Sequence, residues 1–579
     1  MSDAAAQVEA ARRALAEAEA ALAAEQAAEN SRVAEASEAA PTPVAPLTPA
    51  QVATVRAGYT FDAPALEMGA LVNGDPLADV PIRIPLAMVN RHGLVAGATG
   101  TGKTKTLQVL AEQLSAQGVP VFAADIKGDL SGIATAGASS PKLLDRTASI
   151  GQHWVGTASP TEYFTLGGVG TGIPIRATVS SFGPLLLSKV LGLNATQESS
   201  LRLVFHYADR AGLPLVGLDD LRAVLQWLTS DEGKPELKSL GGLSSATAGV
   251  ILRELIGFAD QGADVFFGEP EIDTALFLRT DAEGRGIVSL LEIPGVQDRP
   301  EVFSTFLMWL LADLFNDLPE VGDIDKPKLV FFFDEAHLLF AGASKDFIAS
   351  ITQTVRLIRS KGVGIFFVTQ TPKDVPGDVL AQIGSRVQHQ LRAHTPDDAK
   401  ALKATVSTYP TSAYDLQEVL TTLATGEAII TVMNEKGAPS PVAWTRLRAP
   451  QGSMSPTPIE QMEATVRASP LLARYGTPVD GQSAYEILSV KMNAAAEADA
   501  RAEAAKLEAQ QAKEAAKTQA EYDRALRDLN KPKAKPKPKT TTRTRTRTDN
   551  PAGDMMGSRV GQTVIREVLR GIFSTLKRK

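Results

Sequence analysis

Residues 97–104 read Gly97-Ala98-Thr99-Gly100-Thr101-Gly102-Lys103-Thr104. The run fits Gly-x-x-x-x-Gly-Lys-Ser/Thr, the pattern of a phosphate-binding P-loop. Glycines let the backbone close around an anion because no Cβ stands in the way. The loop's N–H groups then point inward, Lys103 reaches the β- and γ-phosphates, and the Thr104 hydroxyl ligates Mg²⁺. A second run, Phe331-Phe332-Phe333-Asp334-Glu335, has the form of an apolar strand ending in two acids. Asp334 would hold Mg²⁺, through a water, and Glu335 would polarise an attacking water. That acid pair points to ATP hydrolysis rather than to phosphoryl transfer onto another substrate.

Further polar residues are candidates for the same chemistry. Gln370 ends the apolar run Val363–Thr369, where it would contact the γ-phosphate or the lytic water. Arg356 and Arg359 lie three apart, on one face of a helix following the acid pair. An arginine delivered to a γ-phosphate is worth about 10³–10⁵ in rate. Arg386 and Arg392 are further candidates. Asp125 reads either as a residue supporting the metal or as a turn former, and His92 as structural.

These side chains need a scaffold. Gly93–Ala96 is a short apolar strand candidate, and Leu107, Leu110, Ala111 and Leu114 recur at helical spacing behind the loop. Val119–Asp125 is the next strand, which makes a right-handed βαβ unit of a parallel sheet. Carboxylates at the C-terminal end of such strands lie on the ligand-binding edge. The alternation returns with strands at 286–293 and 328–333. A helix over 345–360 and strands at 363–369, 386–391 and 427–432 follow. The expected fold class is α/β, with a mainly parallel sheet.

The chain has 579 residues, no cysteine and a net charge of −7. Without cysteine there are no disulfides, thiolate zinc sites or thiol nucleophile. The acidic balance excludes a uniformly basic nucleic-acid binder. Met1–Ala6 lack a basic n-region and apolar core. The apolar stretch 303–315 is too short to span a bilayer. No membrane span and a cytoplasmic location are therefore expected. No Asn-Lys-x-Asp motif follows the P-loop, which argues against a GTPase. No Leu-Ser-Gly-Gly-Gln-type signature precedes the acid pair, which argues against a transporter cassette.

Composition divides the chain. Residues 1–40 form an Ala/Glu-rich helix and 41–54 a Pro-rich linker. The ATPase core is expected over 55–133 and 286–450, with 134–285 a mainly helical insertion. Residues 451–530 read as a helical C-terminal extension. Residues 531–550 read as a basic disordered linker, with eight Lys or Arg and no acid between 531 and 548. Residues 551–579 hold a short amphipathic helix.

Four segments together resemble the HerA–FtsK superfamily, and most of all its bacterial YjgR-type, HerA-like branch. They are Asn90–Thr104, Asp125-Ile126-Lys127-Gly128-Asp129-Leu130-Ser131-Gly132, Asp334-Glu335-Ala336-His337 and Val368-Thr369-Gln370-Thr371-Pro372. The resemblance covers roughly 55–450. It implies a RecA-like core, a homo-hexameric ring and ATP-driven movement on duplex DNA. By motif matching, Lys103 and Thr104 are Walker A, Asp334 and Glu335 Walker B, Gln370 the sensor, and Arg359 the finger given to a neighbouring subunit. Residues 50–90 leave little room for the N-terminal β-barrel of archaeal HerA, so any nuclease or other protein partner is unidentified. Two alternatives compete with a DNA helicase or translocase: an ATP-driven protein-remodelling or secretion-type motor, and an ATP-switched scaffold.

Overall fold

The computed structural model describes residues 46–529, apart from 239–240, 294–299, 323, 341–344 and 435. The expected N-terminal helix 1–40, the basic linker and the amphipathic helix at 551–579 lie outside the described residues. The chain divides into two compact units, 1–497 and 498–579. Helix Ala484–Leu529 supplies the described residues of the second unit, and its side chains over 498–527 are exposed.

The first unit is built on a twelve-stranded sheet. In chain order the strands are β1 (Ala65–Asn73), β2 (Asp75–Pro85), β3 (Gly93–Ala96), β4 (Val121–Asp125), β5 (Thr161–Leu166), β6 (Ile173–Ile175), β7 (Val288–Glu292), β8 (Leu329–Phe333), β9 (Val363–Thr369), β10 (Ser385–Gln388), β11 (Glu427–Val432) and β12 (Ala443–Leu447). Their spatial order is β2-β1-β12-β11-β10-β3-β9-β8-β4-β7-β5-β6. From β10 to β6 every neighbour is parallel. From β2 to β10 every neighbour is antiparallel. The fold is therefore α/β, with a mainly parallel sheet that carries an antiparallel wing.

β3, β4, β7, β8, β9 and β11 are buried along their whole length. That explains why they read as continuous apolar runs rather than alternating ones. Aromatic rings fill the centre: Phe332 of β8 lies 5.2 Å from Phe366 of β9, centroid to centroid. Helix Lys103–Ala116 buries Leu107, Leu110, Ala111 and Leu114, the residues whose spacing predicts it.

Two boundaries differ from expectation. Helix Pro49–Gly58 begins inside the 41–54 linker, because Thr48 and Gln51 form a capping box with Pro49 at the first helical position. The segment 134–285 is not wholly an insertion: after helix Pro141–Ser149, β5 and β6 join the sheet beyond β7, and the run of further helices starts at Val179. Residues 65–85 form no barrel but a hairpin, β1–β2, whose β1 pairs with β12. β2 is the sheet edge, and its Pro76, Pro81 and Pro85 suit a strand with one unpaired side.

His92 locks the start of β3 to its neighbours. Its Nε2–H donates to the Val355 carbonyl at 2.8 Å, and its Nδ1 accepts from the Ile365 N–H at 3.0 Å. Burial, aided by the Arg359 charge, pushes its pKa down to about 4 despite the Val355 bond. The ring is thus neutral in the folded protein. In the unfolded chain it takes a proton below about pH 6.5. The stability it contributes is present above that value and is lost as pH falls toward 4. The wild-type advantage over His92→Gln is expected to narrow by about 1.4 kcal/mol per pH unit between 6.5 and 4. Denaturant unfolding of both proteins at several pH values measures it; a constant gap would contradict a neutral buried ring.

Candidate active site

The P-loop leaves β3 at its C-terminal end and runs straight into helix Lys103–Ala116. It is stitched to the strands on either side. The Gly97 N–H donates to the Thr369 carbonyl of β9, and the Ala98 N–H to the Gln390 carbonyl just after β10. Gly100 and Gly102 hold φ of 83° and 109°, a region that L side chains avoid. A Cβ on Gly97 would lie 2.4 Å from that of His389, which is buried under the loop and reaches Thr106 Oγ1 at 2.9 Å. The loop's shape therefore depends on glycine at these positions. The helix N-terminus behind it adds its positive dipole end to the cradle.

Lys103 is buried, and its ammonium donates to the loop's own carbonyls, Gly97 O at 2.8 Å and Ala98 O at 3.2 Å. Burial lowers its pKa, while the charges of Glu335 and Asp334 work in the opposite direction. The P-loop lysine thus shares the field of the acid pair, although β9 separates their strands. Thr104 is half-buried on the first helical turn.

Asp334 and Glu335 leave the end of β8. Asp334 Oδ1 accepts the Glu335 N–H at 2.8 Å, and Glu335 sits in the left-handed region at φ 46°. Non-glycine residues in that conformation carry strain and gather at functional sites. Both carboxylates are buried. Burial, then the neighbouring Glu335 charge, raises Asp334 to about 7. Glu292, at the end of β7, is raised to about 8 by burial and by Asp125 and Asp129. These acids lie at the strands' C-terminal edge, where burial and their mutual repulsion raise Asp334 and Glu292.

The remaining candidates separate. Gln370 is exposed at the end of β9 and lines a cavity of about 200 Å³ with Ala98, Thr99, Lys373, Arg392 and Asp398. Arg392 Nη2 lies 3.5 Å from the Thr99 carbonyl, so it flanks the same P-loop. Arg386 bonds Thr408 Oγ1 and sits over the Tyr409 ring instead. Arg359 follows helix Lys345–Ile358, half-buried, where its charge acts on His92. It is therefore at the start of β9, away from its own chain's P-loop. Asp125 is a turn former, because its two oxygens accept the Gly128 and Leu130 N–H groups, each at 2.8 Å.

Sequence reasoning passed over Lys127, although it stands in the Asp125–Asp129 segment. Its Nζ donates to Glu335 Oε1. The available signal was a lysine two residues past a strand end that faces the acids. His389 was passed over as well, since nothing local marks a histidine that folds under a loop.

A family profile described as helicase HerA-like, C-terminal, matches residues 71–579. A curated relative, "Probable helicase MJECL08" of Methanocaldococcus jannaschii, is 29% identical over 150 residues. That alignment spans 25% of this chain and 28% of the relative. Among solved structures, the plasmid coupling protein TrwB with a non-hydrolysable ATP analogue has 16% identity and a TM-score of 0.47. It covers 70% of this chain and 94% of TrwB. VirB4 of Thermoanaerobacter pseudethanolicus has 14% identity and a TM-score of 0.42, covering 68% of this chain and 98% of its own.

Proposed function

Because the chain belongs to the HerA-like C-terminal helicase family, we propose that it is an ATP-hydrolysing motor that moves on duplex DNA as a homo-hexameric ring. The observation that carries the hydrolytic part is the shared edge of the sheet. A glycine cradle with a buried lysine faces an aspartate–glutamate pair at the end of β8.

The residues present fit ATP with Mg²⁺. Lys103 occupies the loop's carbonyls, which a phosphate chain would replace as its partners. Asp334 is a buried carboxylate at the end of β8, raised to about 7 by burial and the neighbouring Glu335 charge, and a divalent cation beside it would offset both. Among the described residues no cluster of three or more acids or histidines is disposed to hold a metal by itself. Mg²⁺ would be held by the nucleotide's phosphates, Thr104 and Asp334. Residues 97–104 would bind the phosphates and Glu335 would polarise water. Gln370 would sense the γ-phosphate, and Arg359 would serve the neighbouring subunit's nucleotide. When bound, Mg²⁺ would neutralise charge on the phosphoryl oxygens.

The DNA part rests on the family and on the cationic segment 531–548. Among the described residues no helix is long and apolar enough to cross a membrane. Residues 451–530 would extend the core, and 531–550 would form a polyanion-binding arm. ATPase rate with and without duplex DNA, over a salt series, tests the reading. DNA is expected to stimulate hydrolysis, and the stimulation to decline as salt rises. Each phosphate neutralised contributes about 0.9 to the slope of log affinity against log salt. Turnover indifferent to DNA would turn the assignment toward a protein client.

A further inference from the structure

The ion pair between Lys127 and Glu335 joins two loops that leave adjacent parallel strands, β4 and β8. Its two halves differ in freedom. The Glu335 side chain is 6% exposed and its backbone is fixed by the turn, whereas the Lys127 side chain is 38% exposed. Glu335 Oε2, the oxygen that Lys127 does not use, is buried without a hydrogen bond, 3.3 Å from His337 Nδ1. The Lys127 charge is also felt at Lys103, together with those of Glu335 and Asp334. Two ammonium groups and two carboxylates therefore share the strip between the P-loop and the end of β8.

A general base paired to an ammonium is a poor one, because the proton it should accept competes with a cation already there. A terminal phosphate would draw that cation away. It carries more negative charge than a carboxylate and offers several acceptor oxygens to a lysine. We infer that Lys127 is a second γ-phosphate lysine, which pairs with Glu335 when no triphosphate is bound and moves to a γ-phosphate oxygen when ATP enters. The move frees the Glu335 carboxylate to face water only when there is a γ-phosphate to cleave. ADP offers no such oxygen, so with ADP the lysine stays on Glu335. This rests on the ATPase reading above and names a further residue, besides Gln370, that distinguishes ATP from ADP.

The test uses the full chain with Mg²⁺ and compares ADP with a non-hydrolysable imido analogue of ATP by calorimetry. Lys127→Ala is expected to lose at least about tenfold in affinity for the triphosphate, the worth of one charge-assisted hydrogen bond. Its ADP affinity should change less than about twofold, and its kcat should fall. Lys127→Arg, which keeps the charge, is expected to recover most of the triphosphate affinity. Equal losses for both nucleotides would overturn the proposal, since the damage would not be specific to the γ-phosphate. Unchanged binding with faster hydrolysis would also overturn it, and would make Lys127 a mask on Glu335 alone. A wild-type protein that binds neither nucleotide would instead refute the ATPase reading itself.

Discussion

Glu335→Gln is expected to bind ATP about as well as the wild type and to hydrolyse it about 10²–10⁴-fold more slowly, the usual worth of a positioned general base. The amide keeps the size and the buried position of the carboxylate but cannot take a proton from water. The substitution also removes the anion that Lys127 holds. The freed ammonium would remain available to a γ-phosphate, so affinity for ATP should hold or tighten. Single-turnover hydrolysis beside equilibrium binding separates the two effects. A Glu335→Gln protein that cleaves ATP at the wild-type rate would remove Glu335 from the chemistry.

Mixing two nearly inactive proteins, Lys103→Ala and Arg359→Ala, is expected to restore part of the ATPase activity. Lys103→Ala removes the cation buried against the loop and so disables its own nucleotide site. Arg359 stands at the start of β9, beside His92, so a role in catalysis requires another chain's phosphate. Its loss is expected to cost about 10³–10⁵ in rate with little change in ATP binding. In mixed rings some interfaces pair an intact P-loop with an intact arginine. Native mass spectrometry verifies subunit exchange. Exchange without recovered activity would exclude Arg359 as the shared residue and shift the test to Arg356 and Arg386.

The parts of the site that could be read from sequence are those whose signal is local. Glycine spacing, a lysine and a following helix identify residues 97–104 within eight positions. A buried parallel strand is apolar throughout, so the acids after Phe333 stand out at its end. Long-range relations were less accessible. The pairing of Lys127 with Glu335 links positions 208 apart, and only the adjacency of β4 and β8 creates it. β5 and β6 sit among glycines and threonines, and β5 pairs with β7, which lies beyond the helices of 179–260. With its partner so distant, that stretch resembled the start of an insertion. β12 went unread because its residues, Ala443–Leu447, are apolar only in part; pairing with both β1 and β11 makes it a central strand of the wing. Asp125 shows the reverse case. Its position at a strand end left it open between a residue supporting the metal and a turn former, and both its oxygens are used by the turn that follows.

Movement along duplex DNA driven by ATP is the central claim, and displacement of a third strand from a DNA triplex reports it directly. The wild-type protein with ATP and Mg²⁺ is expected to release the third strand in a time that lengthens with the duplex track leading to it. Glu335→Gln should bind the same DNA and release nothing. ATP hydrolysis by the wild type without any strand release, on tracks it demonstrably binds, would contradict the account.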